Sequence, residues 1–359
     1  MSIKMYFLIC LILLPNYVEL KNYKKKYLVT EDQVDDKDNE DIKWMLLPNG
    51  RGDPQLAILS GLERNSEQEP LIENIKFYLY TRDNPIKAEE QLMDKKCLPV
   101  FKYFRPERKS KVLVHGFGDS ATDSIMFPLL RDAFLGYNDY NVFTVDWSEL
   151  AAVPWYNSAA KNTKHVSKHL ALFIDHMTSS TGARAEDFHL VGFSLGAHVV
   201  SLTNNEMKYG KVKHITGLDP AEVLFSNSGP DERLDYSHAK LVEVVHTSGG
   251  FLGFKKNLGH RDFYPNGGDW PQPGCVIDYA SVCSHRRAYY YYSEAINKGD
   301  AFTAIPCASY EDYNKGLCSN NTDLAVQLGK SPYDKSKEGN YFLNTNPSSP
   351  YGKVSRNKN

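Results

Sequence analysis

One stretch constrains this chain more than any other: Phe188-His-Leu-Val-Gly-Phe-Ser-Leu-Gly-Ala-His198. Phe188 to Val191 is a short apolar run of the kind a buried strand needs. Gly192-Phe193-Ser194-Leu195-Gly196 follows, a G-x-S-x-G. Ala197 to Leu202 then reads as helix. Strand, tight turn with a central serine, helix is the nucleophile-elbow arrangement. The turn strains the serine backbone, and neighbours without a Cβ let strand and helix pass close to it. The following helix points its first N–H groups at whatever anion forms beside the hydroxyl.

Other short apolar runs carry the same rhythm. Ile75–Tyr80, Lys111–His115, Asn141–Val145, Val212–Thr216 and Leu241–Val245 read as strands. Between 160 and 178, Val166, Leu170, Phe173, Ile174 and Met177 recur at helical spacing, with Lys164, Ser167, Lys168 and Asp175 opposite. Strands alternating with helices predict an α/β fold, a mostly parallel central sheet with helices on both faces. Functional groups in such folds gather at the carboxyl ends of the strands, where Ser194, His115-Gly116-Phe117 and Asp219 all fall.

A serine hydroxyl needs a base within reach and a third group to hold that base. Asp219, in Gly217-Leu-Asp219-Pro220, ends a strand and is the acid candidate; an aspartate before proline is also ordinary turn chemistry. His238, His246, His260 and His285 follow it as possible bases. His285 lies in Cys283-Ser-His285, where a bridge from Cys275 would pin its loop, while His246 and His260 sit where structural roles suffice. Two backbone N–H groups are needed for a developing oxyanion. Leu195 and Phe117 are placed to supply them, with His115 fixing the loop that carries Phe117.

Net charge is −2, with 24% charged and 42% hydrophobic residues, so nothing electrostatic points to nucleic acid. The histidines lack i, i+4 metal-ligand spacing beside a glutamate and no paired C-x-x-C occurs, so neither metal nor cofactor is expected. Lys4 and the apolar Met5–Leu14 read as a secretory signal over residues 1–20, too short to span a bilayer. No later stretch is apolar enough to do so. Cys275–Cys283 and Cys307–Cys318 are close pairs suited to local bridges, which leaves Cys97 odd; Asn320 opens a glycosylation sequon. Residues 21–70, with the acidic run Glu31–Asp41, are expected to be a partly disordered extension, and 71–359 the folded domain. Arg51-Gly52-Asp53 reads as a chance tripeptide in a polar loop.

With these residues in view, the chain resembles the animal pancreatic-lipase family. The resemblance runs from Phe77-Tyr-Leu-Tyr-Thr-Arg82 through His115-Gly-Phe117, Val145-Asp-Trp-Ser148, Gly192–His198, Gly217–Ala221, Asp262–Gly268 and Gln272–Cys275 to Cys283-Ser-His285. It implies an α/β-hydrolase fold, a Ser194–Asp219–His285 triad in the order usual for that fold, and hydrolysis of lipid carboxyl esters. It also implies that the lid is the loop between Cys275 and Cys283. Here that is only Val276, Ile277, Asp278, Tyr279, Ala280, Ser281 and Val282. So short a lid, with a short His246–Gly259 loop, resembles the phospholipase A1 branch of secreted and venom insect enzymes. It implies an open site for phospholipids at a lipid–water interface; triacylglycerol hydrolysis is the alternative. A non-catalytic yolk-type storage protein is the alternative of another class. Gly229–Ala239 resembles the family's calcium loop, but His238 stands where an aspartate is usual, and Glu222-Val-Leu224 lacks a usual proline. No colipase partner is expected, because the chain stops at Asn359 without the C-terminal sandwich of mammalian relatives.

Overall fold

Parallel strands buried on both faces need near-continuous apolar runs, and the central strands have them. A computed structural model describes residues 42–64, 74–93, 99–330 and 332–353. The signal, the acidic run, Cys10 and Cys97 lie outside the described residues. In chain order the elements are β1 (Lys43–Pro48), β2 (Pro54–Ser60), β3 (Lys76–Tyr80), β4 (Glu89–Leu92), β5 (Ser110–Val114), α1 (Met126–Tyr137), β6 (Asn141–Asp146) and α2 (Tyr156–Thr181). There follow β7 (Phe188–Phe193), α3 (Leu195–Glu206), β8 (His214–Leu218), β9 (Leu241–Val245), β10 (Arg261–Pro265), α4 (Val282–Asn297), β11 (Thr303–Pro306), α5 (Tyr310–Asn314), β12 (Val326–Gln327) and β13 (Gly339–Leu343).

The main sheet runs β12-β11-β13-β10-β9-β8-β7-β5-β6-β3-β4. Its centre, β6 to β13, is parallel; β3, β4, β11 and β12 add antiparallel edges. Alternate side chains feed two cores, as a two-residue period demands. Val112, Val114 and Leu190 pack with α2 and α3, while Leu113, Val191 and Val245 pack with α1 and α4. This is the α/β-hydrolase architecture expected. From β5 the chain moves to β6 on one side and later to β7 on the other, so the strand order reverses there. A crevice opens at such a point beyond the carboxyl ends, and Gly116 and Ser194 stand at its edge.

Two expectations need correction. Residues 43–60, assigned to an extension, form the β1–β2 hairpin, a separate two-stranded sheet whose Leu47 and Ala57 enter the α2/α3 core. Proline at both strand ends and a polar turn hid it. The strand read as Val212–Thr216 begins two residues later, because the Val212 N–H is taken by Asn204 Oδ1 at 2.8 Å. The Tyr289–Tyr292 run is the spine of α4, with Tyr289, Tyr291 and Tyr292 buried.

A polar ladder crosses the α1/α4 face of the sheet at the amino ends of its strands. Lys111 Nζ donates to His189 Nδ1 at 3.1 Å, and His189 Nε2 meets Thr216 Oγ1 at 2.8 Å. The His189 and His214 rings stack at 3.7 Å; His214 Nε2 reaches Glu243 Oε2 at 2.9 Å, and Arg261 Nη1 lies 3.4 Å from Glu243 Oε1. Burial pushes the Lys111 ammonium down to about 7.

Two contacts near the start of the elbow helix fix its place. Gly196 passes the backbone of β5 so closely that an added Cβ would stand 2.3 Å from the Val114 oxygen. His198, fully buried, donates from Nε2 to the Ala221 carbonyl at 2.7 Å and accepts the Leu234 N–H at Nδ1 at 3.0 Å. It thereby ties α3 to the loop that follows Asp219.

Gly196→Ala should therefore lower the unfolding free energy by about 3 kcal/mol, read by denaturant unfolding. Burial pushes His198 down to about 4. Between pH 6.5 and that value the unfolded chain binds a proton that the folded chain refuses. Stability held by the neutral ring is complete above pH 6.5 and is lost as pH falls toward 4. Urea unfolding should show about 2 kcal/mol of this loss between pH 7 and pH 5, missing from the difference in His198→Gln.

Candidate active site

Ser194 stands between β7 and α3 with φ +56° and ψ −121°, an outlier for a residue with a Cβ. Two glycines make the strained turn tolerable. A Cβ on Gly192 would lie 2.1 Å from the Gly196 carbonyl oxygen, and one on Gly116 would lie 2.9 Å from the Ser194 Cβ. The serine N–H is held by the Leu218 carbonyl at 3.0 Å, which registers the elbow against β8. Leu195 is the first residue of α3, so its N–H has no partner within the helix.

Asp219 follows β8, also with positive φ, +42°, and is fully buried. Its Oδ1 accepts the N–H groups of Thr247 and Ser248 at 2.7 and 3.0 Å. Oδ2 faces His285 Nδ1 at 2.5 Å. One oxygen is thus anchored to the turn after β9 and the other orients an imidazole. Gly253 crosses behind the carboxylate so closely that a Cβ there would lie 2.5 Å from Oδ1. The Phe193 ring packs on His285 at 4.5 Å between centroids.

The other candidate bases are committed elsewhere. His246 bonds the Phe254 carbonyl at 2.6 Å and Asp262 Oδ1 at 2.9 Å. His260 accepts the Val242 N–H at 3.1 Å, and His238 Nδ1 meets Ser201 Oγ at 2.8 Å. His115 is a positioning residue: Nδ1 donates to the Gly116 carbonyl at 2.8 Å and Nε2 accepts the Trp147 N–H at 3.1 Å. It holds the turn that brings Phe117 into the cleft with Ser194 and His285.

Two disulfides are present among the described residues, Cys275–Cys283 and Cys307–Cys318, each with Cα atoms 5.7 Å apart. The first closes the loop before α4, and His285 sits in the first turn of that helix. Asp278 fastens the same turn, accepting the Cys283 N–H at 2.9 Å and bonding Ser284. Ser281 Oγ reaches Ser248 Oγ at 2.7 Å, joining the loop to the turn that anchors Asp219. Val276 and Ile277 stand 93% and 88% exposed. Asn320 is exposed beyond Cys318.

The segment resembling a calcium loop does not fit a cation. The Asp235 carboxylate accepts the Ser237 N–H and hydroxyl at 3.1 and 2.8 Å, Arg233 lies beside it, and His238 is turned to Ser201. No helix among the described residues is long and apolar enough to cross a membrane.

The site differs from its sequence reading in one respect. A short lid implied an open cleft, yet the cleft is covered: Leu47, Pro48, Asn49 and Gly50 of the hairpin line it with Phe117, Ser194 and His285. Sequence reasoning also missed Thr247 and Ser248 as the acid's anchors, though their place just beyond β9 was the available signal. Asp119 and Arg286 in the cleft wall had none.

A lipase family model matches residues 55–351. Lipase member H of Xenopus tropicalis is 38% identical over 250 residues, 68% of this chain and 53% of that protein. Pancreatic lipase-related protein 2 of Rattus norvegicus is 34% identical over 265 residues, 68% of this chain and 56% of that protein. The chain spans about half the length of the curated relatives it matches. Among solved structures, esterase PE8 aligns with 39% of this chain and 68% of its own at 19% identity and a TM-score of 0.30, too low to add to the fold seen directly. The family match over most of the chain, joined to the elbow and its partners, leads to one conclusion: the chain belongs to the pancreatic lipase family.

Proposed function

We propose that the chain is a secreted lipid carboxyl-ester hydrolase of the phospholipase A1 kind, releasing the sn-1 fatty acid. The observation that carries the hydrolase reading is the buried Asp219–His285 contact at 2.5 Å beside the strained Ser194 turn. In this mechanism Ser194 Oγ attacks the ester carbonyl carbon as His285 Nε2 takes its proton. Asp219 holds the ring by Nδ1 and stabilises its charged form. The carbonyl oxygen gains the negative charge and is met by the Leu195 and Phe117 N–H groups. His285 then protonates the departing alkoxide, leaving an acyl-serine. Water repeats the cycle with the same base and frees the acid.

The finer reading rests on the lid. Its cysteines are eight residues apart, and Asp278, Ser281 and Ser248 tie the loop down. So short a loop does not span a wide acylglycerol mouth. The two disulfides and the apolar start of the sequence support secretion, and the branch of the family proposed is that of secreted insect phospholipases.

Phosphatidylcholine labelled differently at sn-1 and sn-2, assayed beside emulsified triglyceride, tests the proposal. Release of the sn-1 acid should dominate. Ser194→Ala and His285→Ala should each lower kcat by on the order of 10⁴-fold or more, with no further loss in the double variant. Triglyceride hydrolysis alone would keep the triad and overturn the phospholipase reading. A protein silent on both lipids, with Ser194 inert to an organophosphonate, would favour a storage role.

A further inference from the structure

The hairpin over the cleft lies outside every motif that carries the family resemblance. Its tip, Pro48 to Gly52, rests directly on the site. The Gly50 N–H donates to the Gly118 carbonyl at 3.2 Å, one residue beyond Phe117. Gly50 lies so close to Asp119 that an added Cβ would stand 1.8 Å from its Oδ1. Gly52, at φ +90°, approaches Arg286, where a Cβ would stand 1.9 Å from Nη1. Arg51 pairs with Asp123 at 2.5 Å.

Beneath this tip the cleft retains a cavity of about 20 Å³, room for about one water molecule. Pockets that enclose even a drug-sized ligand run to about 300 Å³ or more. The loop between Cys275 and Cys283 is not the cover, since none of its residues lines the cleft. Among the described residues the tip is held by one backbone hydrogen bond and an exposed ion pair, both weak ties. The base of the hairpin is firmer: Leu47 and Ala57 are in the core, and the Ile58 N–H donates to the Pro154 carbonyl at 2.7 Å. A tip that lifts about a fixed base follows from this division.

We propose that the hairpin tip Pro48–Gly52 determines which esters the site accepts: a short acyl chain needs only a slight displacement of the tip, whereas long-chain lipid enters only when the tip lifts clear of Asp119 and Arg286. This rests on the ester-hydrolase reading above. It assigns to the N-terminal hairpin the selecting role that a long lid would otherwise have.

Two variants loosen the tip without touching the proposed triad or oxyanion donors. Arg51→Ala and Asp123→Ala each remove the ion pair, one from the tip and one from its partner. The readout is kcat/KM for p-nitrophenyl palmitate divided by that for p-nitrophenyl butyrate, measured on the full chain. Both variants should raise this ratio at least threefold, with the butyrate rate within twofold of wild type and an unchanged melting temperature of the main transition. A ratio unchanged in both overturns the proposal. A ratio that falls also overturns it, because the tip is then a fixed wall of the acyl site. Wild-type protein that hydrolyses neither ester overturns the hydrolase reading along with this one; turnover with an unmoved ratio overturns this one alone.

Discussion

The constraint on which the site depends is a backbone contact. At the elbow, α3 leaves β7 so tightly that Gly196 faces the carbonyl oxygens of Val114 and His115 with no room for a methyl group. That approach sets where Ser194 stands, aims the start of α3 at the crevice, and brings the Gly116–Phe117 turn beside the hydroxyl. The strain at Ser194 persists because the surrounding sheet over-determines it. The Leu218 carbonyl holds its N–H, and His198 pulls the loop after Asp219 against the same helix. Serine and acid are therefore placed by one rigid unit, whereas the histidine comes from α4 on the opposite layer. Its alignment is set by the disulfide, by Asp278 and by the Phe193 ring.

How much of this was legible follows from where the information lies. Local chemistry was readable: the elbow glycines, the strand ending at Asp219, and the cysteines around His285 all mark themselves within a few residues. What the sequence does not carry locally was missed. The β1–β2 hairpin is short, bounded by proline and follows an acidic run, so its apolar residues look incidental until Leu47 and Ala57 are seen in the core. β10 carries Arg261 and Asp262 inside the sheet, where an apolar run is expected. The tyrosine run of α4 shows periodicity only once its neighbours are known. The cysteines beside His285 already set it apart from His246 and His260, and the distances show those two bonded elsewhere.

The covering of the cleft illustrates a general trade. A family resemblance transfers roles onto matched positions and is silent about segments it does not match. Here the short lid suggested exposure, and an unmatched segment supplies the cover instead. The cover also explains two glycines in the Gly50–Gly52 turn, since both face side chains of the cleft wall at distances that exclude a Cβ.

The polar ladder on the α1/α4 face carries a consequence for assembly. Lys111, His189, His214, Glu243 and Arg261 come from five adjacent parallel strands and satisfy one another. Sliding any of these strands by one residue would turn its ladder member to the opposite face, among Leu190, Ile215 and Val244. A buried cation or carboxylate would then lack partners, a far larger penalty than misplaced aliphatic groups incur. Purely apolar parallel strands are nearly interchangeable in offset. The ladder makes mismatched offsets costly, so it acts as a proofreading device for sheet assembly at the end remote from the active site.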